Sequence, residues 1–518
     1  MKKLVQKYDA VLQRAFEILP GLITWSVVLS PIWLGKIAPL AVAFFLTFLV
    51  IFWVYRALVH LVGIVVGYRR YRQELQTDWS KKFQKIWGSK HLKHLIVIPA
   101  VNEPYEVLAE SFASLADQKY PKENLFIVFS AEEKFAPRVL ADIERIKKKF
   151  GRSLGTVWTT AHPYGLPGEA VGAAANRTWA AKIALKEIKK RGLPVEDFLV
   201  TTLDADMRLH PQFLARLGYA FLTDPHRFDK FYQTAVYLFD NNLWEVPSLM
   251  RIQANSITLA VLSSWVVEPN TKDTWSCYSV ALPTLIEAGF WDPAIGVDDT
   301  TFYWNAFLKK EGRFEGNHFY IPVYADAVQD QGLLRTHVSQ YKQLLRWGWG
   351  VVTFPIAMKG FLTTKVPLGL KISKLYHLIE KFAIWYTLAF LITFGFAILS
   401  LVNPEIKLTT LGYLLPKISG VVLTAALVIL FPITIFRNKI VRPMPANWSW
   451  WKKLWTWVEG PLVVVNLLLY NFAPYLDAET RLMIGKRLEF WPTPKVRSSR
   501  SSVAISAEPK GRAAKNAS

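Results

Sequence analysis

Two blocks of charge-free apolar sequence bracket a polar middle, and this layout limits the fold before any motif is read. Ile18–Gly35 and Ile37–Tyr55 carry no charged residue, and with only Arg56 and His60 added the second run reaches Tyr68. Toward the other end, Phe382–Pro404, Ile418–Phe436 and Gly460–Leu476 are likewise uncharged. A membrane-crossing helix needs about 20 mostly apolar residues. Four of the runs approach or exceed that length, and Gly460–Leu476 is marginal. The alternative is a set of buried helices in a large soluble core, but core helices rarely stay charge-free for so long. The first run is not a cleaved signal peptide, because no small-residue cleavage site follows it and a second apolar run begins almost at once.

Flanking charge sets an orientation. Lys2, Lys3, Lys7 and Arg14 precede the first run, Lys36 alone separates the first two, and Arg69, Arg70 and Arg72 follow the second. The N-terminus and the middle of the chain are therefore expected in the cytoplasm. Arg437, Lys439, Arg442, Lys452 and Lys453 mark a further cytoplasmic loop. Gly460–Leu476 conflicts with this scheme: if it crosses fully, the basic residues beyond it end up outside. A re-entrant or interfacial segment containing Glu459, Pro461 and Pro474 removes the conflict, and both readings stand. The formal net charge of +22, from 62 Lys and Arg against 40 Asp and Glu, is explained by basic cytoplasmic flanks facing anionic headgroups. No nucleic-acid-binding module accompanies it. The single cysteine, Cys277, excludes an intrachain disulfide framework and cysteine-rich zinc sites.

Between residues 85 and 355 the pattern changes. Leu95–Ile98, Leu125–Phe129, Gly155–Thr160 and Phe198–Leu203 read as strands. They alternate with helical stretches at Tyr105–Leu115, Val139–Phe150 and Gly172–Lys190, which predicts a parallel α/β sheet covered by helices. Ligands of such sheets bind beyond the carboxyl ends of the strands. Polar clusters lie there: Asn102-Glu103, Ser130-Ala131-Glu132-Glu133 and Asp204-Ala205-Asp206.

Two carboxylates two residues apart at a strand end can hold a divalent cation against a diphosphate, since Mg²⁺-type ions take oxygen ligands and keep substrate phosphates in their shell. The same Asp-x-Asp also occurs as a solvated turn. Asp298-Asp299 precedes a helical stretch at Thr300–Lys310. Adjacent carboxylates repel, which makes one less acidic and suits a general base; helix capping is the competing reading. Gln343, Arg346 and Trp347 share one face of a helix that begins near Val338. An Arg that neutralises phosphate and a Trp that offers a flat face suit a sugar phosphate. An interfacial helix with Trp and Arg at headgroup level is the alternative.

Taken in order, these clusters resemble the membrane-integrated family-2 glycosyltransferases, the group containing cellulose, chitin and hyaluronan synthases. The resemblance covers roughly His94–Gly350. It rests on Ile98-Pro99-Ala100-Val101-Asn102-Glu103, on Asp204-Ala205-Asp206, on Asp298-Asp299, and on the Gln-x-x-Arg-Trp signature at Gln343, Arg346 and Trp347, extended by Trp347–Gly350. The layout is closest to less characterised bacterial members.

The resemblance implies a GT-A fold for a cytoplasmic domain at 85–355, inserted between transmembrane helices. The remaining parts are an N-terminal hairpin of two spans at 1–72, an interfacial segment with two to three spans at 356–492, and a disordered basic tail at 493–518. It implies a nucleotide-sugar donor, a UDP-sugar in most relatives, and Mg²⁺ or Mn²⁺ on Asp204 and Asp206. Asp299 is then the general base with Asp298 beside it, and Pro99, Asn102, Glu103, Glu132 and Asp204 bind the donor. Gln343, Arg346, Trp347 and, by a loose match, Cys277 line the acceptor and diphosphate end. The expected protein sits in a bacterial inner membrane with its catalytic domain in the cytoplasm, and moves sugar to a lipid or glycan acceptor.

Three departures from the family pattern stand out. The Asp that contacts uracil in relatives is absent, with Glu132 nearest its place. The Lys of the Gly-Lys-Ala motif is replaced in Gly172-Ala173-Ala174-Ala175-Asn176, which removes a cation. The base position reads Asp-Asp where Glu-Asp is common. A catalytically inactive partner in glycan assembly is the alternative these changes leave open. A transporter fits less well, because its spans would be few and nearly free of ionisable residues.

Overall fold

The computed structural model describes residues 2–170 and 172–488; the expected tail at 493–518 lies outside the described residues. Among the described residues ten strands form two sheets. The main sheet contains β1 (Lys93–Ala100), β2 (Leu125–Glu132), β3 (Thr156–His162), β4 (Phe198–Thr202), β6 (Lys230–Thr234), β8 (Tyr278–Ala281) and β9 (Glu315–Phe319), in the order β3-β2-β1-β4-β8-β6-β9. The small sheet is β5 (Arg208–Leu209), β10 (Val323–Tyr324) and β7 (Tyr237–Leu238) in that order. β3, β2, β1 and β4 run parallel, and β8 pairs antiparallel with both β4 and β6.

The four parallel strands lie where the apolar runs placed them. β1 continues through Pro99 to Ala100, because a proline near the end of a strand removes only one ladder donor. β6, β8 and β9 are too short and mixed in composition to announce themselves in the sequence.

Side-chain alternation divides the core in two. Ile96 and Ile98 of β1 and Ile127 and Phe129 of β2 enter the cluster on one face, while Leu95, Val97, Phe126 and Val128 enter the other. All are essentially buried, as expected for parallel strands covered on both sides. The Ala-rich helix Ala173–Lys190 packs on β1, β2 and β3; its small side chains let it lie close to the strand ends.

Among the described residues three helices are long and apolar enough to cross a membrane: Asp9–Val28, Pro39–Leu75 and Gly460–Met483. The pair Leu368–Trp385 and Leu388–Val402, bent by 53°, makes a fourth if it counts as one span. The run Ile418–Phe436 does not form one helix; it is divided between Thr410–Leu427 and Leu430–Ile440. Pro39–Leu75 has 37 residues, or roughly 55 Å at 1.5 Å each. A hydrocarbon core of about 30 Å uses little more than half of it. The helix also lies against Ser248–Val267 of the α/β domain, so its apolar character up to Tyr68 reflects packing on protein.

Gly63 and Gly67 make that contact close. A Cβ on Gly63 would stand 2.9 Å from the Ser263 carbonyl oxygen, and one on Gly67 would stand 2.8 Å from the Leu262 side chain. Gly63→Leu should therefore lower the unfolding midpoint of the purified protein, with an overpacking cost of about 1–3 kcal/mol or more. An unchanged midpoint would show that the two helices separate freely.

Gly460–Met483 is docked on the rest of the protein along its length. Glu459 is fully buried and paired with Arg251 and Arg437. Asn466 Nδ2 donates to the Leu249 carbonyl at 2.9 Å, Tyr341 donates to Asp477 at 3.1 Å, and Arg14 holds the carbonyls of Leu482 and Met483. Its two ends are thus tied to segments from the middle and the start of the chain.

Candidate active site

The site forms where β4 ends. Past Thr202 the chain turns through Leu203, whose N–H still reaches the Val97 carbonyl at 3.0 Å, and delivers Asp204 to the edge of the sheet. Asp204 is the most open of the acidic side chains here, 40% exposed. Its Oδ1 accepts from Arg177 Nη2 at 3.0 Å and its Oδ2 from Ser276 Oγ at 2.7 Å. Asp206 is buried, and its backbone carbonyl accepts from Asn241 Nδ2 at 3.2 Å.

Asp298 and Asp299 open the helix Asp298–Lys309, whose N-cap is Val297 with no side-chain capping bond. The capping alternative therefore fails. Both carboxylates turn instead to Arg177, whose Nη1 donates to Asp298 and, at 3.1 Å, to Asp299. One guanidinium, 2% exposed, thus gathers the carboxylate at the end of β4 and both acidic residues of the distant helix. It lies over the ring of the buried Trp291. Burial alone would pull this cation's pKa down; Asp298, Asp299 and Asp204 more than reverse that, and its pKa is raised. Burial and the neighbouring Asp298 push Asp299 well above the ordinary carboxylate range, with Arg177 opposing.

Arg177 was invisible as a site residue in the sequence. The departure from Gly-Lys-Ala implied a missing cation, and the structure corrects this: Arg177, the residue after Asn176, supplies the charge. The available signal was its position in the first turns of a helix that starts at the strand ends. Asn176 itself clamps two strands, donating through Nδ2 to the carbonyls of Ala100 and Ser130, each at 3.2 Å.

The signature helix runs Leu333–Gly348, five residues longer at its start than expected. Arg346 lies in the field of Asp204, Asp298, Asp299 and Asp206; burial lowers its pKa and those four carboxylates oppose the shift. Trp347 is half-buried and packs against the core cluster that holds Ala205, Met207, Tyr237 and Cys277. Trp349 is buried in the opposite cluster. Gln343 accepts a long bond from Gln340 on its own helix.

The other expected donor residues are tied into the strand ends. Pro99 pairs with Ser130 across β1 and β2. Asn102 Oδ1 accepts from Arg138 at 2.7 Å, and Glu103 accepts the Val101 N–H at 2.8 Å. Glu132 meets His162.

Cys277 is 2% exposed and sits at φ +61°, a left-handed conformation. That turn places Ser276 on Asp204 and sends Tyr278 into β8. Burial raises the thiol, and Asp204 and Asp299 add to the effect. Cys277 should therefore resist N-ethylmaleimide at pH 7.5 in the folded protein and react after denaturation. Rapid labelling of the native protein would contradict this placement.

Oxygen ligands are present for Mg²⁺ or Mn²⁺ at Asp204 and Asp206. Among the described residues no group of three or more His, Cys, Asp or Glu side chains is placed to hold a metal ion.

No protein-family model and no curated protein matches the chain. Solved structures of similar shape include the mannosyltransferase PcManGT from Pyrobaculum calidifontis in complex with GDP-Man and Mn²⁺. It has 14% identity and a TM-score of 0.45, covering 85% of this chain and 100% of that one. They also include residues 1–349 of S. aureus TarS, with 14% identity and a TM-score of 0.34 over 76% of this chain and 92% of that one. These are loose likenesses of overall shape.

Proposed function

We propose that this chain is a membrane-embedded inverting glycosyltransferase that moves a sugar from a nucleotide-sugar donor to a lipid-linked or polysaccharide acceptor. The observation that carries the reading is Arg177 joining Asp204 to Asp298 and Asp299, with Arg346 facing the same carboxylates. One buried and one half-buried cation with four carboxylates at the carboxyl end of a parallel sheet suit a substrate that is anionic at one end and must lose a proton at the other.

In this reading Asp299 accepts the proton of the attacking acceptor hydroxyl, and its raised pKa gives it the needed basicity. Arg346 and Arg177 stabilise the charge that develops on the departing diphosphate. A divalent ion on Asp204 and Asp206 would supply further Lewis-acid stabilisation of that leaving group. Asp298, held by Arg177, keeps Asp299 and the guanidinium in register. One displacement inverts the anomeric centre. Trp347 and the neighbouring aromatic side chains provide flat apolar surface on the acceptor side. The apolar helices hold the site next to the membrane, where a lipid-linked acceptor is available.

The test is release of nucleoside diphosphate from a panel of nucleotide sugars by the purified full-length protein in detergent, with EDTA controls. Turnover of at least one donor that depends on Asp204 and Arg346 is expected. A well-folded protein that neither binds nor cleaves any member of the panel would overturn the reading and favour a non-catalytic partner role.

A further inference from the structure

Arg56 and His60 are the two basic residues inside the long apolar run that ends at Tyr68, and the transfer chemistry uses neither. Ionisable residues in such a run are costly and mark a partner or a function. His60 Nδ1 lies 2.7 Å from Ser263 Oγ. Arg56 pairs with Glu268, the residue that closes the helix Ser248–Val267, and its guanidinium lies over the Trp385 ring at 5.1 Å. Three lysines gather on the segment that begins at Glu268. Lys272 stands 4.0 Å from Glu268, Lys381 meets Asp273 at 3.5 Å, and Lys374 Nζ donates to the Asn270 carbonyl at 3.0 Å. The cluster thus sets four cations against two carboxylates, Glu268 and Asp273. The next acids are engaged elsewhere, Glu380 with His377 and Glu315 with Lys230.

The surplus positive charge is largely shielded from solvent. Lys374 is buried, and the side chains of Arg56 and Lys272 are each 15% exposed. Burial pulls the Lys272 pKa down to about 8; Glu268 and Asp273 oppose the fall, and Lys381 and Arg56 add to it. Arg56 Nε is buried without a hydrogen-bond partner. Cations withdrawn from water without matching anions are unfavourable, and an anion bound among them relieves that cost.

Position points to the source of the anion. Arg56 lies 17 residues past Pro39, roughly 26 Å at 1.5 Å per residue. In the membrane reading above, a hydrocarbon core of about 30 Å ends close to Arg56, which puts the cluster at headgroup level. The helix Leu368–Ile379, which carries Lys374, leaves Leu368, Ile372 and Tyr376 exposed at every fourth position, an apolar stripe suited to acyl chains. The segment that holds the cluster also runs into the active site. Thr274 Oγ1 donates to the Asp299 carbonyl at 2.6 Å, and Ser276 Oγ donates to Asp204 at 2.7 Å.

We propose that Arg56, Lys272, Lys374 and Lys381 bind the phosphate of an anionic membrane lipid, and that the bound headgroup orders the segment Glu268–Ser276 so that lipid composition sets the rate of sugar transfer. The rate effect rests on the glycosyl-transfer reading above. A lipid phosphodiester brings one negative charge and free oxygens that accept from a guanidinium and from ammonium groups together. Thr274 and Ser276 then hold Asp299 and Asp204 from a segment fixed at its other end by lipid.

Two measurements test this on the full-length protein. In nanodiscs, adding phosphatidylglycerol to phosphatidylcholine should raise nucleoside diphosphate release about 5-fold or more, the scale of one basic residue at an anionic surface. Lys272→Gln with Lys381→Gln should cut that gain to less than about 2-fold. In detergent, lysophosphatidylglycerol should raise the unfolding midpoint of wild type by about 2 °C or more, lysophosphatidylcholine should not, and the double variant should not respond. Lys381→Gln alone, at a position 45% exposed, should show a reduced response and keeps the test open if the double variant fails to fold. Equal rates in both discs with no midpoint shift, or a gain retained in the variants, would overturn the proposal. Inorganic phosphate giving the same gain in phosphatidylcholine discs would overturn lipid as the source. A midpoint shift confined to wild type, without turnover in any disc, would support the lipid site and count against the glycosyl-transfer reading.

Discussion

Replacing Arg177 by Met should lower sugar transfer by about 10²–10³-fold, the usual cost of deleting one preorganised group that stabilises developing charge. The expectation follows from its position: one buried guanidinium bonds Asp204, Asp298 and Asp299 at once. Met fills similar volume but leaves three carboxylates without their cation, and breaking a buried ion pair from one side costs about 3–5 kcal/mol of stability. The unfolding midpoint should fall with activity. Arg177→Lys separates the two effects. It keeps the charge and loses the planar fork that reaches several carboxylates together, so it should recover most of the midpoint and little of the turnover. Full activity in Arg177→Lys would reduce the residue to a counter-charge. Wild-type activity in Arg177→Met would remove the site as drawn.

Asp299→Asn should reduce transfer by about 10²–10⁴-fold, the range for loss of a general acid–base group, and leave nucleoside diphosphate binding nearly unchanged. Asp298→Asn should cost less in the chemical step and more in stability, because Asp298 is the more buried of the two, 10% against 22%. The pH dependence has a definite sign. The folded pKa of Asp299 lies above its ordinary value. The base works only when deprotonated, so kcat/KM should rise with pH through that raised pKa, with an acid limb well above the ~4 of a free carboxyl. Stability runs the other way. A carboxyl whose pKa is raised by folding stabilises the folded state at pH below its unfolded pKa, and that contribution is lost as pH rises through the folded pKa. Asp299→Asn should flatten both trends. An acid limb that is unchanged in an otherwise active Asp299→Asn variant would assign the proton transfer elsewhere.

The parts of the site that were readable in the sequence are those whose physical signature is local. Leu95–Ile98, Leu125–Phe129 and Phe198–Leu203 announce doubly covered parallel strands because a strand buried on both faces is apolar at every position. Asp204 and Asp206 follow directly because parallel strands end at the ligand side. Arg346 and Trp347 were placed on one helix by spacing alone, and the structure brings Arg346 to the carboxylates from a helix distant in sequence. Capping and base readings of Asp298 could not be separated without knowing that a cation stands opposite.

The charge-free runs, the positions of the strands β1 to β4 along the chain and the acidic residues that follow β1, β2 and β4 follow from the sequence by itself, since burial and periodicity act over a few neighbouring residues; their order in the sheet came from the structure. Only the tertiary structure decided how the pieces meet. Arg177 bonds partners 27, 121 and 122 residues away, and His162 joins glutamates from two different segments. The apolar helix Pro39–Leu75 meets Ser248–Val267 by the close approach at Gly63 and Gly67, and Gly460–Met483 is held against the α/β domain through Glu459, Asn466 and Asp477. Each of these depends on electrostatic or steric complementarity between surfaces far apart in the chain. Such complementarity leaves no period in the sequence and exists only once the sheet has brought its strand ends together.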